Sequence, residues 1–218
     1  IPEDTDIACV SIPAKSVFDC IKSCAAKRVK FSTIIASGFS EIGNYAEEKK
    51  LVNYARENGM RILGPNIFGI YSAASSLNAT FGPPDVRPGN VGVITQSGAL
   101  GIGMMGKTVT QNIGLSAIIS VGNKSDIDEC DLLDYLIAQE QTKIILMYLE
   151  GVGDGERLVS ILKKATREKP IIVIKSGRSR RGALAAASHT SSLAGEDKVF
   201  DDIIRQCGVM RSESIHDA

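Results

Sequence analysis

Val91-Gly92-Val93-Ile94-Thr95-Gln96-Ser97-Gly98-Ala99-Leu100-Gly101 begins as an apolar run of strand length and passes through small residues into a helical pattern. A strand, a tight turn and a helix in that order open a βαβ unit. The same alternation recurs downstream. Strands are expected at Val91–Thr95, Leu115–Val121, Lys143–Leu149, Pro170–Lys175 and near Val209–Arg211. Helices are expected near 98–111, 128–139, 155–167 and 195–206. Near-continuous apolar strands separated by helices point to a parallel sheet covered on both faces. Five such strands fit a flavodoxin-like doubly wound sheet.

Upstream, the alternation starts with Ile7–Ile12, then a helix over Lys15–Lys27 with Val17, Ile21, Cys24 and Ala25 on one face. A strand at Phe31–Ala36, a helix at Ala46–Asn58 closed by Gly59, and a short strand at Arg61–Leu63 follow. This first unit reads as the second half of a Rossmann-like domain whose opening strand, turn and helix lie outside the chain. The start at Ile1-Pro2-Glu3-Asp4, with no Met, agrees with a missing beginning. The densest Pro/Gly cluster, Gly82 to Asn90, is the expected boundary between residues 1–85 and 86–218. The fold class is therefore α/β, an incomplete Rossmann-like unit followed by a flavodoxin-like domain.

Composition narrows the function classes. The chain has 218 residues, 25 basic and 25 acidic, giving a formal net charge of +0. That balance argues against nucleic-acid and membrane-surface partners, and no apolar run reaches the length of a membrane span. Five cysteines without a C-x-x-C pair fit reduced thiols in a cytoplasmic protein.

Open α/β sheets bind ligands beyond the carboxyl ends of their strands, so the residues after each strand carry the functional reading. Ser97, Gly98 and Ala99 offer free N–H groups at a helix N-terminus, an anion site or an ordinary capped helix. No Gly-Lys-Ser/Thr follows, so it is not a P-loop. Glu150 ends the Lys143–Leu149 strand, either as a paired buried carboxylate or as a solvated strand end. Lys175, Arg178, Arg180 and Arg181 form a basic loop at the same edge. Beyond it, Ala183 to Gly195 surrounds His189 with small residues and the hydroxyls of Ser188, Thr190, Ser191 and Ser192. No apolar face exists there for a structural histidine to fill. The acidic stretch Gly122 to Glu129 lacks the spacing of a calcium loop and reads as helix-dipole complement.

Together these residues resemble the succinyl-CoA synthetase superfamily, in the branch of the ADP-forming acetate–CoA ligases. The resemblance covers the whole chain. It rests on Val10-Ser11-Ile12-Pro13-Ala14, Gly64-Pro65-Asn66, Thr95 to Gly101, Gly122-Asn123 with Asp126 and Asp128, Tyr148-Leu149-Glu150-Gly151, Lys175 to Ser179, and Ser188-His189-Thr190 with Leu193-Ala194-Gly195.

The resemblance implies an acid–thiol ligase in which acyl-CoA and phosphate give acyl-phosphate and coenzyme A. His189 then takes the phosphoryl group and passes it to ADP, forming ATP and leaving a small carboxylic acid. It implies Glu150 as the carboxylate orienting the imidazole, and Ser97, Gly98 and Ala99 as the phosphate cradle. CoA would lie near Ile12, Pro13, Ala14, Ala36, Ser37 and Asn66. ADP and its Mg would sit on an ATP-grasp subunit or domain outside this chain, so an oligomer is expected. Two departures are that the Gly-rich turn for the CoA phosphates and the ATP-grasp domain both lie outside the chain; a smaller change is Ser191, where relatives usually carry Gly. The alternative is a non-catalytic acyl-CoA-sensing module of a larger protein, such as an acetyltransferase fusion. Retention of both His189 and Glu150 counts against it. A plain Rossmann dehydrogenase is disfavoured because no intact G-x-G-x-x-G appears.

Overall fold

The computed structural model describes residues 5–177 and 197–218. Their backbone forms two sheets. In the first, β1 (Ile7–Val10), β2 (Phe31–Ile34) and β3 (Arg61–Leu63) pair in parallel in chain order. The helices between them, α1 (Ala14–Ala26) and α2 (Tyr45–Glu57), bury Val17, Ile21 and Cys24, and Leu51, Val52 and Ala55, into one core with Val10, Ile34 and Ile62. Spacings of three and four put each set on one helix face. Gly59, at φ +73°, lets the chain turn back after α2.

The second sheet contains β6 (Pro88–Thr95), β7 (Leu115–Ser120), β8 (Ile144–Leu149), β9 (Ile171–Lys175) and β10 (Met210–Ser212). Their order is β10-β9-β8-β6-β7, all parallel, which is the doubly wound order expected from the sequence. Side chains alternate between two cores. Ile145, Met147 and Leu149 meet α4 (Glu129–Ala138) and α5 (Gly155–Glu168), with Ile204 of α6 (Asp197–Gln206). Val93, Ile118, Tyr148 and Ile174 face α3 (Gly98–Gln111) through Met104 and Met105.

One element departs from expectation. β4 (Gly69–Ser72) and β5 (Leu77–Thr80) form an antiparallel hairpin that pairs with β7 and extends this sheet. The sheets therefore part between Leu63 and Gly69, upstream of the Pro/Gly stretch, which instead links β5 to β6. Gly69 is required there: at φ +118°, a Cβ would lie 2.0 Å from the Ala79 carbonyl oxygen. Two strands also stop short of their expected ends, β1 at Val10 and β2 at Ile34, leaving Ile12 and Ala36 in the loops beyond. No helix among the described residues is long and apolar enough to cross a membrane.

Candidate functional site

Strands β6 and β8 are neighbours, so the turn after Thr95 and the end of β8 lie side by side. Thr95 is buried, and its hydroxyl donates to the Ser97 carbonyl (2.9 Å) and accepts from Ser97 N–H (3.2 Å). That local ring turns the chain sharply into α3. Ser97 is extended and its hydroxyl oxygen accepts from Leu100 N–H at 3.4 Å. The N–H groups of Gly98 and Ala99 belong to the first turn and have no carbonyl of their own helix to reach. Ala99 is exposed and Ser97 and Gly98 are half-buried. Gly101 sets how closely α3 approaches the sheet, since a Cβ there would lie 2.3 Å from Phe68 Cε1.

Glu150 is buried at the carboxyl end of β8. Glu150 is thus not a solvated strand end. Its backbone is held on every side. Glu150 N–H and Gly151 N–H both donate to Gln96 Oε1, at 2.8 and 3.1 Å. Lys175 Nζ donates to the Glu150 carbonyl at 2.8 Å, and Lys124 Nζ to the Gly151 carbonyl at 2.7 Å. Lys124 also pairs with Glu129 at 3.1 Å. Burial holds the Lys175 ammonium below the ordinary lysine pKa, with Asp197 opposing that fall.

The residues expected to meet CoA lie along the carboxyl edge of the first sheet. Ile12 and Pro13 are exposed after β1, Ser37 is exposed after β2, and Ala14, Ala36 and Asn66 are half-buried. The structure brings them together. Asn66 N–H donates to the Ala36 carbonyl at 3.0 Å, and a Cβ on Gly38 would lie 3.0 Å from Ala14 Cβ.

This edge meets the second sheet at Asn123. Its amide donates to Glu41 at 2.6 Å and to Glu48 at 2.8 Å, and its oxygen accepts from Asn66 at 3.3 Å. Gly122 permits the approach, because a Cβ would lie 2.2 Å from the Pro65 carbonyl oxygen. The result is a cleft of about 30 Å³ lined by Ser40, Glu41, Asn66, Gln96, Gly122, Asn123 and Glu150. Burial pushes the Glu41 carboxyl up, but donation from Gly38 N–H, the Asn123 amide and Phe39 N–H outweighs it and leaves the pKa below the ordinary value.

The acidic stretch serves the fold. Asp126 pairs with Arg56 (2.6 Å) and Arg61 (3.0 Å) and accepts from Ile62 N–H at 2.7 Å, tying β3 to the loop after β7. Asp128 caps α4 reciprocally with Asp131. Among the described residues, no group of three or more His, Cys, Asp or Glu is placed to hold a metal ion.

His189 and the rest of its small-residue segment lie outside the described residues, as do Arg178, Arg180 and Arg181. The other histidine, His216, sits beside Lys107 near Val91, Leu115 and Ile144, at the amino ends of the strands and away from the cleft. Sequence reasoning assigned no role to Gln96, Glu41, Glu48, Asn123 or Lys124. Gln96 carried a signal, being a long amide at the mouth of a buried strand. Glu41 and Glu48 carried none, because their partner lies across the junction between sheets.

A family model described as "Succinyl-CoA ligase like flavodoxin domain" matches residues 88–218, more than half of the chain. The chain is 53% identical to acetate–CoA ligase [ADP-forming] I subunit alpha of Pyrococcus furiosus, over 100% of its own length and 48% of that protein. It is 42% identical to acetate–CoA ligase [ADP-forming] of Methanocaldococcus jannaschii, covering 97% of this chain and 30% of that one. It is also similar to a solved structure of a Ca. Korarchaeum cryptofilum dinucleotide-forming acetyl-coenzyme A synthetase 1, in complex with phosphate and ADP. The TM-score is 0.97 at 48% identity, covering 100% of this chain and 47% of that chain. The chain thus spans about half the length, or less, of the relatives it matches.

Proposed function

The chain belongs to the succinyl-CoA ligase-like flavodoxin-domain family, and on that premise we propose that it is the CoA-binding and phosphohistidine-bearing part of an ADP-forming acyl-CoA synthetase. The overall reaction is acyl-CoA, ADP and phosphate giving a small carboxylic acid, CoA and ATP. The observation that carries the proposal is the meeting of three features in one place. Buried Glu150 lies beside the α3 N-terminus and shares a cleft with Asn66 of the first sheet.

In this reading, CoA lies along Ile12, Pro13, Ala14, Ala36, Ser37 and Asn66, with its thioester directed at the cleft. Phosphate attacks the thioester carbonyl and the CoA thiolate leaves, giving acyl-phosphate. The neutral imidazole of His189 attacks phosphorus and the carboxylate departs. Glu150 accepts a hydrogen bond from the other ring nitrogen, fixing the tautomer and stabilising positive charge on the ring. The N–H groups of Gly98 and Ala99, with Ser97, face the charge that spreads over the transferring oxygens. The phosphoryl group then goes to ADP on an ATP-grasp subunit or domain, where Mg would accompany the nucleotide. Relatives that carry acetate–CoA ligase names favour this reading over an acyl-CoA-sensing module. Five free thiols fit a cytoplasmic location.

The test is to incubate the complete enzyme with labelled phosphate and acetyl-CoA. Acid-labile, base-stable label present in wild type and absent from His189→Asn is the expected result. Equal labelling of the two would refute the proposal.

A further inference from the structure

The corner at Glu150-Gly151 presents four backbone polar groups, and side chains from three other strand ends take all of them. Gln96 beyond β6 receives both N–H groups, Lys175 of β9 serves one carbonyl, and Lys124 beyond β7 serves the other. Water could satisfy a strand end of this kind without taking charge out of solvent. Instead the protein withdraws two ammonium groups, leaving the Lys124 side chain 11% exposed and Lys175 8% exposed. Withdrawing charge costs stability unless it gains something elsewhere. Gly151 immediately follows, so the glutamate would otherwise sit on a freely pivoting backbone.

We infer that Gln96, Lys124 and Lys175 are positioning residues that clamp the peptide of Glu150, so that its carboxylate meets the phosphoryl-carrying histidine in one geometry. The inference rests on the function proposed above. Preorganised sites hold their reacting groups to within about 0.5 Å, and locked supporting side chains are what achieve it. With backbone motion removed, the direction of the carboxylate depends on the Glu150 side-chain torsions alone. Gln96 is the central member because one oxygen fixes two consecutive N–H groups, which sets the direction in which the Glu150 Cα–Cβ bond leaves the strand. It also lines the cleft itself, beside Asn123.

The experiment follows phosphorylation of His189 in the full-length protein by labelled acetyl phosphate under single-turnover conditions. Gln96→Leu removes the shared acceptor, and Gln96→Glu keeps it. The Leu variant is expected to lower the labelling rate about 10- to 100-fold, the loss that small misplacement of a reacting group brings. The acetyl phosphate concentration giving half-maximal rate stays unchanged. The Glu variant recovers most of the rate. A Leu variant that melts earlier but labels at the wild-type rate overturns the clamp, as does a Glu variant as slow as Leu. Should Gln96→Leu not fold, Lys124→Met carries the same expectation of slow labelling, and a wild-type rate in it overturns the inference. Wild type that takes no label at His189 refutes the underlying function, so the two failures are told apart.

Discussion

Replacing Asp126 tests whether the two sheets are joined as the geometry indicates. Its carboxylate is fully buried, accepts from Ile62 N–H at 2.7 Å, and pairs with Arg56 and Arg61, which remain 55% and 42% exposed. Asp126→Ala strands the buried Ile62 N–H, a loss of about 1–3 kcal/mol. The arginines return to water, so each pair contributes only about 0.2–1 kcal/mol, as exposed ion pairs do. The expected cost is therefore about 1.5–5 kcal/mol. Asp126→Asn keeps an oxygen for Ile62 N–H and loses only charge, so it should cost about 0.5–2 kcal/mol. Urea unfolding at constant m measures both. At this chain length each kcal/mol shifts Tm by about 2–4 °C, a second readout. An alanine variant within about 0.5 kcal/mol of wild type, or an asparagine variant as damaging as alanine, would refute the reasoning.

Gly101→Ala should cost about 1–3 kcal/mol, because its Cβ would lie 2.3 Å from Phe68. Gly103→Ala, two residues on in α3 with nothing within 4 Å, should stabilise by about 0.5–1 kcal/mol; opposite shifts in Tm check the pair. Glu41 should contribute to acid sensitivity. Its folded pKa lies below the ordinary 4.5, so its contribution is fully present above that value and is lost as pH falls through the folded one. Glu41→Gln should flatten the decline in stability as pH falls below about 4.5, measured by urea unfolding. An unchanged slope would remove Glu41 from the account.

The doubly wound core was legible because its signal is local. Arg61–Leu63 and residues 98–111 match the expected elements, since an apolar run or a three-four spacing needs no knowledge of partners. The sequence put Ser97 and Glu150 at one sheet edge and the resemblance implied that they meet; the pairing of β6 with β8 places their ends side by side. The hairpin was not. Residues 69–80 are short, small and partly polar, and their strand character comes from β7, far along the chain. Nor was the Asn123 junction, where one amide gathers two carboxylates from a helix and a loop of the other sheet. Clamping of Glu150 by Lys175 was half legible: the sequence placed a basic residue at that edge but could not say that its ammonium turns inward to a carbonyl.

The β4–β5 hairpin also bears on how such a unit can be inherited or engineered. The stretch recognisable as the family's flavodoxin domain starts at residue 88. A piece cut there would leave Ala117, Ile118 and Ile119 of β7 paired to β6 alone, without their β4 partners, and would strip Phe68 and Tyr71 from the core. It would expose an apolar strand edge, the kind of surface on which chains aggregate. The segment that recombination can move intact is therefore longer than the segment that similarity outlines, and its natural seam lies before Phe68 rather than in the proline-rich loop.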